Sequence, residues 1–183
     1  MKIIESNVIG ILVQNNEFDD WWVSELIEIP FFNNQKLKFT FMDFDPESDF
    51  DFIKETDSAL EVFINKNDID RLSISSLVHQ NCIDFLNEIG FEKEDKYLWE
   101  IEDSVNIWDH VQPMKIYISR RAYNDKDIYV DINCSCDWEQ EHGLQLVFRQ
   151  GKKITRVSQI DGHLTDADAY GKADREDELL SQF

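Results

Sequence analysis

Three neighbouring side chains, Glu139, Glu141 and His142, are of the types that carry out acid–base chemistry. A carboxylate and an imidazole form a general acid and base when burial and mutual contact shift their pKa values. The order Glu-His-Gly lacks the second histidine that a zinc-protease helix places one turn away from its glutamate. Gly143 offers a backbone position open to positive φ, and the His142 ring can hydrogen-bond the turn. The pattern favours a structural role, and a small hydrolase or metal-dependent enzyme at these residues is the alternative.

The cysteines of the same segment raise the question of a zinc site. Cys134, Cys136 and His142 supply three ligands in a Cys-x-Cys pattern. A structural zinc site needs four ligands, which usually come as two spaced pairs. Alternation places both cysteines on the same side of a predicted strand as Ile132, where free cysteine behaves as a small buried hydrophobe. We therefore expect buried thiols, and we expect neither a metal nor a cofactor.

The third candidate site is a cluster of acidic residues at positions 43–57. Seven acids stand within fifteen residues, with only Lys54 against them: Asp43, Asp45, Glu47, Asp49, Asp51, Glu55 and Asp57. A helix–loop–helix calcium site needs glycine at its sixth position and glutamate at its twelfth, where this chain has Ser48 and Lys54. The run is therefore interpreted as a solvated loop, with an electrostatic recognition surface as the sharper alternative.

The hydrophobic pattern predicts an α+β fold. Alternation predicts strands at 8–13, 22–29, 37–41, 114–119, 128–136 and 144–148, with a tight turn at 150–151 and a bulge near Ile154 and Val157. Helical spacing predicts two central amphipathic helices, at 53–64 and 74–89, with Ser73 as the cap of the second. A short strand is expected at 97–101. We expect both helices to pack on one face of antiparallel sheet.

These elements divide the chain into three parts. Residues 1–92 hold a strand meander and the two helices, and residues 110–165 form a β-rich region with the Trp-Glu-x-Glu-His-Gly motif. Residues 166–183 form an acidic segment with few large apolar groups, which we expect to be a partly ordered tail. The whole is expected to be one compact unit.

Composition bounds the function. The chain has 183 residues and a net charge of -20, so direct binding to nucleic acid is disfavoured, because phosphate contacts need clustered positive charge. Three cysteines, of which two are only two residues apart, form no disulfide framework. The first apolar run is too short for a signal peptide or a spanning helix. Neither a nucleophile elbow nor a phosphate-binding loop is present. We therefore expect a cytoplasmic protein that is not an enzyme and has no membrane contact.

The region 132–162 resembles the C-terminal domain of an uncharacterised bacterial family. The mark of that family is Cys-x-Trp, two acids and Glu-His-Gly before a β-strand, which this chain matches at Cys136, Trp138, Glu139 and 141–143. The resemblance covers about residues 110–170, and it extends more loosely to the Trp-Trp-x-Ser strand and the Ile-Pro-Phe-Phe segment of the first 90 residues. It identifies Trp138, Glu139, Glu141, His142 and Gly143 as family-marking positions without assigning catalysis to any of them.

The resemblance also implies a function, since some members of that family lie near polymorphic-toxin loci as candidate immunity proteins. Together with the acidity, it predicts a protein that binds a basic toxin, such as a nuclease, and occludes its substrate site. The steering residues would be Asp43, Asp45, Glu47, Asp49 and Asp51, and aromatic anchors would supply the affinity. The candidate anchors are Trp21, Trp22, Tyr97, Trp99 and Trp108. A structural or regulatory scaffold is a further alternative.

Overall fold

One eight-stranded sheet, whose spatial order follows the chain order, organises the structure. The computed structural model describes residues 2–182. The strands are β1 (Ile3–Ser6), β2 (Gly10–Gln14), β3 (Trp22–Ile29), β4 (Gln35–Phe41), β5 (Val111–Arg120), β6 (Ile128–Cys136), β7 (Leu144–Arg149) and β8 (Lys153–Ser158). All neighbours are antiparallel except β4 and β5, which are parallel. The expected mixture of helices and mostly antiparallel strands is therefore confirmed.

The connection from β4 to β5 contains the central helices, because two adjacent parallel strands need a crossover. The helices of this connection are α1 (Phe52–Ile64), α2 (Asp68–Ser73), α3 (Ser75–Ile89) and α4 (Lys96–Trp99), followed by a 3-10 helix at Ser104–His110. The two helices predicted from apolar spacing are α1 and α3. Two details of the prediction are wrong. The expected strand at 97–101 overlaps α4, and α3 begins without a side-chain cap, while the Ser73 hydroxyl donates to the Asp70 carbonyl.

The last two strands confirm the turn and the bulge that the sequence predicts. Gln150 and Gly151 both have positive φ, and the Lys152 N–H donates to the Arg149 carbonyl at 3.0 Å, which closes a tight turn at these two residues. Val147 pairs with Arg156 while Phe148 pairs with Ile154, so Thr155 is the extra residue of a bulge in β8. A Cβ atom at Gly151 would lie 2.1 Å from the Ala59 carbonyl oxygen, which shows how closely α1 approaches this turn.

Aromatic side chains join the sheet to the connection. The ring of Phe148 in β7 lies 5.7 Å from that of Phe63 in α1 and 5.6 Å from that of Phe31, which follows β3. Phe39 and Ile116, which pair across β4 and β5, are fully buried in the same core. Burial of these side chains supplies the main stabilisation of the fold, at about 25 cal/mol for each Å² of apolar surface removed from water.

The C-terminal segment is more ordered than its composition predicts. It contains α5 (Asp166–Tyr170) and two 3-10 helices, Asp174–Glu176 and Leu180–Gln182. Arg121, only 2% exposed, binds Asp168 and Asp174 of this segment at 2.7 Å each. The buried Asp177 carboxylate accepts the backbone N–H groups of Ala167 and Leu180. The acids that gave the segment its tail-like composition are thus the groups that fasten it to the rest of the chain.

Candidate functional site

The Glu-His-Gly motif forms the turn between β6 and β7. Oε1 of Glu139 accepts the backbone N–H groups of Glu141 and His142 at 3.0 and 3.2 Å, so this carboxylate caps the turn. Nδ1 of His142 lies 3.6 Å from the same oxygen, whereas the Glu141 side chain is exposed. The three residues of the hydrolase alternative therefore lie together, and the one buried carboxylate among them already binds two backbone donors.

Gly143 has the backbone role that its place in the sequence predicts. Its φ is +73°, and a Cβ atom there would lie 2.4 Å from the carbonyl oxygen of Cys134. Its N–H group donates to the Glu139 carbonyl at 3.0 Å. Only glycine fits this position without a shift of β6, because the left-handed backbone and the close carbonyl both exclude a side chain.

The remaining motif residues tie this turn to α3. Trp138 is buried, and its Nε1 donates to Oδ1 of Asn81 in α3 at 3.1 Å. Cys134 and Cys136 are buried as predicted, and so is Cys82 of α3. Burial raises the pKa of the Cys82 and Cys136 thiols to about 12, which keeps both protonated at neutral pH. Across residues 2–182, no group of three or more His, Cys, Asp or Glu side chains is arranged to hold a metal ion.

The acidic run separates into structural and solvent-facing members. Arg120 of β5 binds Asp49 at 3.0 Å and also binds Glu55. Asp57 is buried and accepts the Ser6 hydroxyl and, at 2.9 Å, the Asn7 backbone N–H. The expectation of a solvated loop is therefore wrong for the buried Asp57, whereas Asp49 and Glu55 bind Arg120 and still retain solvent exposure. Their partners lie about 50 to 70 residues away along the chain, where no local pattern could indicate them.

The other four acids of the run, Asp43, Asp45, Glu47 and Asp51, are exposed. Asp45 accepts the backbone N–H of Glu47 at 2.9 Å and the Ser48 hydroxyl at 2.8 Å, and these hydrogen bonds lower the pKa of its carboxyl. The loop is thus held in shape by its own side chains and carries its negative charge on the surface.

Two of these acids, Asp45 and Glu47, line a wide cleft. We call it the acidic cleft; its volume is about 1030 Å³, and it is lined by Lys2, Ile3, Ile4, Gln14, Asp19, Asp20, Trp22, Phe44, Asp45, Pro46 and Glu47. Asp19 and Asp20, which the sequence does not single out, join Asp45 and Glu47 there because the Phe44 N–H donates to the Asp20 carbonyl at 2.9 Å. Four carboxylates thus face one lysine.

The aromatic candidates differ in their availability. Trp22 is a core residue, 2% exposed, with its Nε1 donating to the Phe44 carbonyl, so it is not an anchor for a partner. Trp99 and Trp108 pack against the core, and the indole of Trp108 donates to Ser75 Oγ. Trp21 and Tyr97 retain accessible surface. Among residues 2–182 the most exposed large apolar side chain is Phe50, at 82%, which the sequence did not indicate as an anchor.

A second charged cluster lies where the C-terminal segment meets β6 and β8. Arg156 of β8 is buried and binds Asp161, and its Nε is 3.1 Å from Asp166. Asp131 of β6 is 5% exposed, and burial together with the nearby Asp161 raises its pKa to about 7, although Arg156 opposes the shift.

The family of the chain follows from the comparison with family models. The model for the domain of unknown function DUF6985 matches residues 12–164, which run from β2 to the residues just before α5. The chain therefore belongs to the DUF6985 family. No curated protein and no solved structure matches it. Within residues 2–182 there is no helix long and apolar enough to cross a membrane.

Proposed function

We propose that the protein binds a basic protein partner at the acidic cleft and neutralises it by occlusion, as a cytoplasmic immunity protein does for its cognate toxin. The observation that carries this proposal is the convergence of Asp19, Asp20, Asp45 and Glu47 on one cleft with Lys2 as its single base. A cleft lined by one sign of charge focuses its field and speeds the association of an oppositely charged partner. A toxin that binds nucleic acid presents such a basic surface.

The acidic cleft is held in shape before any partner arrives. The indole of Trp22 donates to the Phe44 carbonyl at 3.1 Å, and the Phe44 N–H donates to the Asp20 carbonyl at 2.9 Å, so both walls are tied to the sheet. Asp45 is fixed by its hydrogen bonds to Glu47 and Ser48. A preorganised site loses less entropy on binding, which favours a recognition role for this loop.

We propose that Phe50 supplies the apolar contact with the partner, which the charged residues of the acidic cleft cannot provide. It stands between Asp49 and Asp51, three residues after Glu47, and its ring is 82% exposed. Interfaces gain most of their affinity from a few large anchors, while charges contribute mainly to the association rate. We assign Phe50, three residues along the chain from Glu47 of the acidic cleft, as the apolar anchor in place of Trp22.

We further infer that α1 and α3 cover the same face of the sheet. Phe63 of α1 packs on Phe148 of β7, and Asn81 of α3 binds Trp138 in the turn that precedes β7. With both helices on one face, the acidic cleft and the opposite face of β3–β5 stay open to partners. The hydrolase alternative gains no support from this arrangement, since Glu139 is used as a turn cap.

A charge-matched pair of variants tests the proposal. The first changes Asp19, Asp20, Asp45 and Glu47 to their amides, and the second does the same to four exposed acids elsewhere, Glu88, Glu92, Glu94 and Glu102. Each variant removes four negative charges. Association with a basic partner recovered by pull-down from the host is measured by stopped flow at several salt concentrations.

We expect the cleft variant to associate at least ten-fold more slowly than wild type at low salt, and the control to change much less. Phe50→Ser should leave the association rate near that of wild type and raise the dissociation rate. Equal rates for both amide variants, or association that does not depend on salt, would place the docking surface elsewhere. Unchanged toxicity of the partner in the presence of bound protein would refute neutralisation.

A further inference from the structure

A second cleft, on the strands β3, β4 and β5, has the opposite charge from the rest of the molecule. We call it the lysine cleft; its volume is about 350 Å³, and it is lined by Asn15, Trp21, Val23, Leu26, Lys36, Leu37, Lys38, Thr40, Met114, Lys115 and Tyr117. Three of these residues are lysines and none is an acid, in a chain with 38 acids and 18 lysines and arginines. The local charge is therefore the reverse of the net charge of -20.

Two of these lysines form an unneutralised pair. Lys38 and Lys115 each stand one position before the paired residues Phe39 and Ile116, so they are neighbours across the parallel strands β4 and β5. Lys36 is bound by Glu28 at 3.4 Å, whereas Lys38 and Lys115 have no acidic partner among the residues the structure describes. Like charges on neighbouring strands destabilise a sheet, so stability does not explain this pair.

Accessible apolar surface surrounds the lysines. Leu26 and Met114 are 56% and 47% exposed, and the rings of Trp21 and Tyr117 lie 6.1 Å apart in an edge-to-face arrangement. Tyr117 pairs with Thr40, which places the tyrosine on the same side of the sheet as the lysines. A patch that combines partly exposed aromatic rings and exposed aliphatic groups with unpaired charge is typical of an interaction surface.

We propose that the lysine cleft binds an acidic segment of a partner protein, with carboxylates on Lys38 and Lys115 and an apolar side chain among Trp21, Leu26, Met114 and Tyr117. Charge complementarity selects this occupant, because the cleft offers two unpaired cations beside apolar walls. A nucleic acid fits less well, since its line of phosphates would meet the acidic surface beyond the three lysines. The site uses other residues than the acidic cleft, so it stands independently of the function proposed above.

Two synthetic peptides of equal length serve as probes, Ac-Gly-Glu-Leu-Asp-Leu-Glu-Gly-NH₂ and its analogue with Gln and Asn in place of the acids. Each is titrated into the full chain while amide and indole N–H signals are followed by NMR. The double variant Lys38→Gln/Lys115→Gln is compared with Lys54→Gln/Lys93→Gln, which removes two exposed lysines elsewhere.

The acidic peptide should shift signals of β3, β4 and β5 and the Trp21 indole in a saturable way. The neutral peptide and the double variant should each bind at least ten-fold more weakly, and the control variant should bind as wild type does. The double variant should melt at the temperature of wild type or above it, because a like-charge pair has been removed.

Several results would overturn the proposal. These are the absence of saturable shifts, shifts centred outside the lysine cleft, equal binding of the neutral peptide, or a melting temperature that falls in the double variant. Displacement of the peptide by a lower concentration of oligothymidylate would assign the cleft to nucleic acid. Self-association in sedimentation velocity that the double variant abolishes would assign it to a second copy of this chain.

Discussion

Asp131 is a carboxylic acid in an apolar environment that disfavours its ionised form. It lies in the middle of the sheet, paired with Tyr117 on β5 and Val147 on β7. Its Oδ1 atom is buried and has no hydrogen-bond partner in the described part of the chain. Burial of an ionised carboxylate without such partners is costly, and the proton is retained to higher pH instead.

Asp131→Asn should therefore change how stability depends on pH. The pKa of Asp131 is about 7 in the folded protein against an ordinary 3.8, so the folded state holds a proton that the unfolded state releases. The protonated Asp131 carboxyl contributes fully to the free energy of unfolding below about pH 4, and this contribution is lost as pH rises to about 7. Asparagine does not titrate, so the variant does not lose this contribution. Between about pH 4 and pH 7 its free energy of unfolding should therefore rise relative to that of wild type by roughly 2–4 kcal/mol. Urea unfolding from pH 4 to 8.5 measures the difference.

Asp51→Asn is the control for that experiment, because Asp51 is exposed. This variant keeps Asp131, so its stability should fall between about pH 4 and pH 7 as that of wild type does. A flat difference from wild type for Asp131→Asn would mean that the Asp131 carboxyl is already ionised at pH 4 in the folded protein.

Gly143→Ala should destabilise the protein by about 2–4 kcal/mol, the sum of a left-handed backbone cost and a steric cost. Gly162→Ala is the matched control, since Gly162 has a similar φ of +79° but no atom within 4 Å of its Cβ position. That variant should lose only about 1–2 kcal/mol. Thermal and chemical denaturation measure both values. If the two variants lose the same free energy of unfolding, the Cys134 carbonyl can move away from the new methyl group at little energetic cost.

At this scale the sequence predicts residues whose role is local. The thiols of Cys134 and Cys136 are buried because alternation along one strand decides which side chains face the core. Gly143 is predictable from its place at a turn. Asp19 and Asp20 of the acidic cleft were not predictable, since a hydrogen bond from Phe44 brings them to Asp45 from a distant segment.

At the scale of elements, the C-terminal segment is fastened to the sheet by a buried arginine. Arg121, beside the end of β5, binds Asp125, Asp168 and Asp174, and these hydrogen bonds raise the pKa of its guanidinium despite burial. Burial raises the pKa of the Asp125 carboxyl, but hydrogen bonds from the Asp127 backbone N–H, Arg121 and the Tyr129 hydroxyl outweigh it and lower that pKa. Removal of one member of such a buried cluster leaves uncompensated charge behind.

Arg121→Gln should lower the free energy of unfolding by about 3–5 kcal/mol and loosen residues 166–182. Amide hydrogen exchange should rise in α5 before it rises in β6 or β7. Arg175→Gln removes an exposed arginine of the same segment and should alter neither measurement. Uniform exchange across the sheet and the segment would show that the segment does not open as a unit.

Elements with a strong period were predictable, and short ones were not. The bounds of β3 and β6 agree with the predicted strands because each alternates over eight or nine residues. α4 has only four residues, which are too few to show a helical period. Its large apolar residues Tyr97 and Trp99 are two positions apart, a spacing that is also typical of a strand, so the sequence predicts a strand there. The parallel pairing of β4 and β5 follows from the packing of the whole connection, which no local pattern records.

For the molecule as a whole, the excess of acidic side chains causes electrostatic repulsion within the folded state, and added salt should weaken it. A net charge of -20 on 183 residues destabilises the compact state through self-repulsion. Sodium chloride up to about 0.5 M should raise the melting temperature by about 2–6 °C, because screening shortens as salt rises and each kcal/mol shifts the melting temperature by a few degrees. Differential scanning calorimetry at pH 7 measures it.

The variant with amides at Glu88, Glu92, Glu94 and Glu102 provides the internal comparison. It should melt above wild type at low salt and gain less from added salt, because part of the repulsion is already gone. A melting temperature that falls with salt would mean that ion pairs such as those of Arg120 and Arg121 outweigh the repulsion.

The order of the sheet also bears on how fast the chain can reach its native state. Seven strand pairs form the sheet, and six of them join strands that directly succeed each other through short connections, whereas β4 and β5 meet only across residues 42–110. Closing that connection costs about 2–3 kcal/mol more in chain entropy than closing a four-residue hairpin. We expect the antiparallel sets β1–β4 and β5–β8 to form early and independently, and the pairing of β4 with β5 to set the folding rate.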